Sequence, residues 1–370
     1  MRRPPLPNSR QPQKASRDDG RRWNLLAALQ TIARNGIISR ADIARATGLT
    51  RATVSSLVAQ LITEGLVHEV GIGEAETAGK PPTLLAINGE GRDIVALDLS
   101  RQPFQAAIFD LAGEITHRET AAISATGEAA IENAVLLAEA CLEASRASVL
   151  GIGVGTPGII DPDGAVTEAA HLDWRDVPLR RILSERLGLP ASVGNDAHVA
   201  ALAELRTTKG SDTLLVVTVG DGIGAGLVLD GALHTGQHLS SGEIGHVVVE
   251  PNGDPCRCGL QGCLETVAAV PAVHRRADGS LDPDAAAEAG RRLGSALAMV
   301  ISAIDVDRVV VNSELATVDG YIAAIADEMT ARIHRSRRPH LSVSGSGIED
   351  PVLAGAAAIV MRDELGVVLR

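Results

Sequence analysis

Aromatic residues are almost missing from this 370-residue chain, which has only Trp23, Phe104, Phe109, Trp174 and Tyr321. Its core must therefore be filled by Ala, Val, Ile and Leu, and the ring platforms on which single-stranded nucleic acid stacks are excluded. Cysteine is scarce too. Four residues, Cys141, Cys256, Cys258 and Cys263, are too few and too clustered for the disulfide framework of a secreted protein. No apolar run approaches the roughly 20 residues that cross a bilayer, and the first twenty residues lack the apolar stretch of a signal peptide. A cytoplasmic protein with no membrane partner is expected. Positive charge is also in deficit: the net charge of −12 argues against a whole-molecule electrostatic grip on DNA. The deficit is uneven, however. Residues 1–88 carry 12 Lys and Arg against 7 Asp and Glu, whereas residues 89–370 carry 22 against 39. A basic head precedes an acidic body, and the length allows two or three domains.

Residues 1–20 combine Pro4, Pro5, Pro7 and Pro12 with basic side chains and almost no apolar ones, a composition that does not offset the entropy of folding. A disordered tail is expected there. From Trp23 the pattern becomes helical, with Leu25, Leu26, Leu29 and Ile32 on one face and a stop at Asn35-Gly36. Ser39 to Asp42 has the spacing of a capping box and opens a second helix that buries Ile43 and Ala46, and Gly48 supplies a tight turn. Thr50 caps a third helix. There Val54, Leu57, Val58 and Leu61 recur at i, i+3, i+4 and i+7, which leaves Arg51, Ala52, Ser55, Ser56 and Gln60 outward. Two short extended segments follow, Leu66–Val70 and Thr83–Ile87, joined by a Gly-rich stretch ending at Lys80.

Residues 21–88 thus read as a winged helix-turn-helix domain. The competing reading is a small helical bundle of no special use, but the short turn, the small polar residues outside the third helix and the local positive charge point to double-stranded DNA. The candidate contacts are Arg40, Thr50, Arg51, Ala52, Ser55, Ser56 and Lys80. Arg51 suits a guanine edge and Lys80 the minor groove, whereas Glu74 and Glu76 in the wing oppose phosphate. Winged helices work in pairs, so a homodimer or homotetramer on a near-palindromic operator is expected.

Residues 89–370 alternate strands and helices, the pattern of an α/β body, here of two lobes. Strands are expected at Ile94–Leu99, Gln105–Asp110, Val149–Val154, Ser192–Gly194, Leu214–Val219 and Gly226–Val228. Helices are expected at Ala129–Arg146, Ala197–Arg206 and Ala285–Ile304. No internal repeat is visible. The sharpest chemical signal is Cys256-Arg257-Cys258-Gly259-Leu260-Gln261-Gly262-Cys263, preceded by His246. Three thiolates and one imidazole fill a tetrahedral shell, so His246, Cys256, Cys258 and Cys263 are candidate ligands of a structural Zn2+.

Gly242-Glu243-Ile244-Gly245-His246 followed by Cys-x-Cys-Gly-x-x-Gly-Cys-Leu-Glu, ending at Glu265, resembles the signature of the ROK family (repressor, open reading frame, kinase). Gly153 to Gly158 and Gly194-Asn195-Asp196-Ala197 also resemble its motifs. The resemblance implies an actin-like two-lobed sugar-kinase fold preceded by a winged helix-turn-helix, as in the family's repressor branch. It also implies a hexose-type pocket lined by Asn195, Asp196, Glu243, His246 and Glu265, with Asp196 at the place of the kinase base. Taken alone, Asn195-Asp196 also fits a turn or helix cap.

The nucleotide side departs from the family's kinases. Where those kinases carry Asp-x-Gly-Gly-Thr, this chain has Asp98-Leu99-Ser100-Arg101-Gln102-Pro103, and both glycines are gone. Asp221 stands where kinases place Thr, and a carboxylate there repels a triphosphate. Val311 to Glu314 lacks the glycines expected near an adenosine. His171 replaces a common Asn, and it reads equally as a ligand contact or as a surface residue beside Trp174. The expectation is therefore a DNA-binding regulator without enzymatic activity, most often a repressor of sugar-metabolism genes, controlled by a bound sugar effector. The alternative is an active ATP-dependent kinase of a hexose or N-acetylhexosamine.

Overall fold

The computed structural model describes residues 17–73, 81–207 and 213–366, and the chain divides into two compact units, residues 1–87 and 88–370. In the first unit, helix α1 (Arg17–Asn35) is followed by a two-residue strand β1 (Ile38–Ser39), helices α2 (Arg40–Thr47) and α3 (Arg51–Thr63), and strands β2 (Val67–Ile72) and β3 (Thr83–Ile87). The three strands pair antiparallel in the order β1-β3-β2. α2 starts on a reciprocal cap: the Asp42 amide donates to Ser39 Oγ at 3.2 Å and the Ser39 amide donates to the Asp42 carboxylate at 3.4 Å. The helices close over Leu29, Ile32, Ile43, Val54, Leu57 and Leu61, the 3.6-residue stripe that the sequence predicts.

Three expectations need correction. α1 begins at Arg17, so residues 17–20 belong to this helix rather than to a tail. Ala46 is exposed, since α2 is only two turns long and Ile43 alone reaches the core. Gln60 is partly buried, accepting from Arg21 at 2.9 Å and donating to Glu64 at 2.8 Å. Residues 1–16, Glu74, Glu76 and Lys80 lie outside the described residues.

The second unit is built on two five-stranded sheets. The first lobe comprises β4 (Asp93–Asp98), β5 (Gln105–Asp110), β6 (Ile115–Thr120), α4 (Gly127–Ala144) and β7 (Val149–Thr156). It continues with a small antiparallel sheet of β8 (Ile159–Ile160), β9 (Val166–Ala169) and β10 (Trp174–Val177), then α5 (Leu179–Leu187), β11 (Ala191–Asn195) and α6 (Asp196–Thr207). The second lobe comprises β12 (Leu214–Val219), β13 (Ile223–Leu229), β14 (Ala232–His234), α7 (Leu264–Ala268), α8 (Pro283–Ile304), β15 (Arg308–Asn312), α9 (Tyr321–Arg332), β16 (Ser342–Gly345) and α10 (Pro351–Leu365).

The two sheets run β11-β7-β4-β5-β6 and β16-β15-β12-β13-β14. Both place the strands of their lobe in the chain order fifth, fourth, first, second, third. In both, the first, fourth and fifth strands pair parallel, and the second pairs antiparallel with both the first and the third. The body is therefore a topological duplication that no sequence repeat announces, because a fold repeat requires only matching hydrophobic periodicity. The closing helices are exchanged between lobes: α6 packs on β12 and β13 of the second sheet, α10 packs on β4 and β7 of the first, and the two helices pack on each other. Gly355 makes that crossing possible, since a Cβ on it would lie 1.9 Å from the Val199 carbonyl oxygen.

Candidate functional site

In the first unit α3 presents one polar face. Thr50 caps it through Oγ1, which accepts from the Thr53 amide at 3.2 Å, and Arg51, Ala52, Ser55 and Ser56 are exposed. Arg40 at the start of α2 is held by Glu69 of β2 at 2.9 Å, so its charge is already partnered.

In the second unit a cavity of about 270 Å³ opens between the lobes. All five residues expected to line a sugar pocket face it, although they arise from three separate segments. Asn195 ends β11 and Asp196 begins α6. Asn195 caps α6, its Oδ1 accepting from the His198 amide at 3.1 Å, and at the cavity wall its Nδ2 donates to the Gly158 carbonyl at 3.1 Å. Glu243 precedes the single 3-10 turn that ends at His246, and Glu265 sits in the first turn of α7.

The carboxylates are not equivalent. Burial, then the neighbouring charge of Asp98 and that of Glu243, pushes the Asp196 carboxyl up to about 7. Glu243 is likewise raised, chiefly by burial and further by Glu265, although His246 opposes this. Glu265 is lowered: burial acts against it, but the nearby His171, the hydrogen bond from Cys256 and the charge of His246 prevail. Neutral and charged carboxyl groups side by side offer donors and acceptors together, which suits adjacent hydroxyls of a polyol.

His171 is part of this wall. It lies in the turn between β9 and β10, faces the cavity, and places Nε2 3.9 Å from Glu265 Oε2. Arg257 Nη1 approaches its Nδ1 at 2.7 Å. A guanidinium only donates, so Nδ1 is the acceptor and Nε2 carries the proton toward the cavity. His171 is thus partly buried at the cavity edge, its side chain 22% exposed. Glu168 also lines the cavity, and no motif marked it, because the alternation of β9 is that of any half-buried strand.

Behind this wall His246, Cys256, Cys258 and Cys263 bring one ligand atom each within 4.8 Å of one another. Cys258 Sγ to Cys263 Sγ is 3.7 Å and Cys256 Sγ to His246 Nδ1 is 3.5 Å. These separations match the edges of a tetrahedron whose centre would lie about 2.3 Å from sulfur and about 2.0–2.1 Å from nitrogen. The loop can turn so tightly because Gly262 adopts φ +70°, where a Cβ would also lie 1.6 Å from the Glu250 carbonyl oxygen. Nδ1 of His246 faces the thiols, while Nε2 faces Glu243 Oε2 at 3.8 Å. A metal ion held on Nδ1 leaves the proton on Nε2, directed at the cavity.

A second cavity of about 320 Å³ lies beside the first, bordered by Ser100, Arg101, Asp221 and Asn312. In the segment from Asp98 to Pro103, Arg101 folds back onto Asp98, Nε to Oδ2 at 2.9 Å. Among the described residues no helix is long and apolar enough to cross a membrane.

Known proteins resemble both units. A MarR family model matches residues 14–72, and a ROK family model matches residues 94–363. A putative xylose repressor from Caldicellulosiruptor sp. is 38% identical over 66% of this chain, a match spanning 63% of that repressor's own length. The DNA-binding transcriptional dual regulator NagC of Escherichia coli is 28% identical over 94% of both chains. The crystal structure of a ROK family transcriptional regulator homologous to the E. coli MLC protein superposes with a TM-score of 0.77 at 25% identity, covering 93% of this chain and 96% of that one. A ROK family glucokinase from Streptomyces griseus, solved with glucose and AMPPNP, superposes on 72% of this chain and 98% of its own with a TM-score of 0.65 at 25% identity. A family model that accounts for well over half of the residues, on a body with the same two-lobed architecture, establishes that the chain belongs to the ROK family.

Proposed function

We propose that this protein is a sugar-responsive transcriptional repressor, in which the winged helix reads operator DNA and the ROK body senses a neutral sugar without phosphorylating it. The observation that carries the reading is the coexistence, in one chain, of an exposed recognition helix and a hydroxyl-matched cavity. Arg51, Ala52, Ser55 and Ser56 would meet base edges, Thr50 and Arg40 would position the helix on phosphate, and Lys80 would enter the minor groove. Asn195, Asp196, Glu243, His246 and Glu265, with His171, would hold the sugar. His246, Cys256, Cys258 and Cys263 suit Zn2+, which would act structurally because no ligand position stays open. Paired heads on a homodimer or homotetramer in the cytoplasm complete the proposal. The similarity to repressors named for xylose and N-acetylglucosamine supports a sugar effector.

Selection of bound duplexes from a random DNA pool, at near-physiological salt and with zinc-loaded protein, tests the DNA half. Enrichment of a two-fold symmetric site is expected, and failure of folded, zinc-loaded protein to enrich any sequence would overturn the reading. A second reading, a sugar kinase, has one observation in its favour: an Asp196 carboxyl near 7 suits a general base. ADP release with any hexose or N-acetylhexosamine would revive it, whereas Arg101 and Asp221 in place of a phosphate loop speak against it.

A further inference from the structure

The two cavities of the body are neighbours: Ser100, Thr218, Gly220 and Asp221 line both. Each by itself is near the lower end of ligand pockets, about 300–1,000 Å³, while the two joined fall well inside that range. Thr218 Oγ1, at the boundary, is buried without a hydrogen-bond partner. A buried hydroxyl in that state calls for a partner, and a water or a ligand hydroxyl at the cavity boundary would supply one.

The charge of the second cavity decides what kind of ligand fits. Arg101 is its cation, and it is already engaged by Asp98 at 2.9 Å and faced by Asp350 at 3.8 Å. Asp221 adds a carboxylate at the boundary, and Glu314 adds another, paired with Arg275 at 2.9 Å. Carboxylates therefore outnumber cations around the space, and a phosphate entering it would meet repulsion rather than a clamp. What remains is a set of hydroxyl, amide and carboxylate groups, from Ser100, Thr218, Asn312 and Asp221, of the same chemistry as the wall of the first cavity.

We infer that the second cavity is a subsite for a second sugar ring, so that the effector is a neutral disaccharide spanning both cavities, one ring among Asn195, Glu243 and Glu265 and the other against Asn312. The inference rests on the sugar-sensor reading and narrows its ligand class.

The test is titration calorimetry on the full-length, zinc-loaded protein. The probes are glucose, galactose, xylose and N-acetylglucosamine, set against maltose, isomaltose, cellobiose, gentiobiose, melibiose and xylobiose, with glucose 6-phosphate and AMPPNP with Mg2+ as anionic controls. At least one disaccharide is expected to bind tenfold or more tightly than either of its component rings. Asn312→Ala should lower that affinity at least fivefold and leave monosaccharide binding unchanged. Saturation-transfer NMR of the wild type, which needs no variant, should show both rings in contact with protein. Monosaccharides that bind as well as every disaccharide, or a disaccharide with only one ring saturated, would overturn the subsite and leave the sugar sensor standing. Tighter binding of glucose 6-phosphate or AMPPNP would overturn it in favour of an anion site. Absence of binding by every saccharide would overturn the sugar-sensor reading itself and the subsite with it.

Discussion

Asp196 sets the tone of the cavity because its environment penalises charge: burial comes first, with Asp98 and Glu243 adding repulsion. Its folded value near 7 lies above the ordinary 3.8, so the folded chain keeps a proton there that the unfolded chain has released. Stability therefore falls as pH rises from about 4 to about 7 and is level above that, as far as this group is concerned. Asp196→Asn is expected to stabilise the protein by on the order of 2 kcal/mol at pH 8, with the gain fading toward pH 4, as read by urea unfolding at both values. A gain independent of pH would show that Asp196 is not held neutral. At the other site, Arg51→Ala is expected to weaken operator binding by about 1–3 kcal/mol and to relax preference at one base position, measured by competition between duplexes. Unchanged affinity and preference would remove Arg51 from the recognition set. The Cys and His residues of the cluster were legible in the sequence because a closed ligand shell is a property of spacing. Glu168 was not, since a strand carboxylate carries no signal of the cavity it faces.

Among the elements, two joints carry the site. The segment from His246 to Glu265 gathers the four metal-ligand candidates and, through its two end residues, forms one cavity wall. Cys258→Ser removes one of four ligands and is expected to lower zinc affinity by at least about 100-fold, with a drop in melting temperature, checked by zinc content and thermal unfolding. Wild-type protein stripped of metal with no loss of stability would show that the cluster is not a zinc site. The second joint is the crossing of α6 and α10, where Gly355 allows backbone to touch backbone. Gly355→Ala drives a Cβ against the Val199 carbonyl and is expected to cost about 3 kcal/mol or more in denaturant unfolding. A cost under about 1 kcal/mol would mean that the helices separate easily. The long helices α4, α6 and α8 and the runs Gln105–Asp110 and Leu214–Val219 were plain from periodicity. β6, β14 and β16 were not, because they are edge strands with no fully buried residue, alternating at most between half-buried and exposed. α10 was hidden by being apolar on nearly every side, the mark of a helix clasped between two layers.

The whole molecule joins a basic head to an acidic body, and its two sheets share one topology without a repeat in sequence. α6 carries Asp196 at its N-terminus while packing on the opposite lobe's sheet, so a ligand that closes the cavity acts on elements of both lobes at once. Ligand control then requires only that the closed body and the DNA-bound head differ in mutual preference. A tenfold change in operator affinity corresponds to about 1.4 kcal/mol of coupling. The measurement that bears most directly on this is fluorescence anisotropy of a labelled, selected operator duplex titrated with zinc-loaded protein, with and without a saturating saccharide identified by calorimetry. A tenfold or larger shift in operator affinity is expected for the wild type, and none for Glu243→Ala. A saccharide that fills the cavity yet leaves operator affinity unchanged would contradict the account.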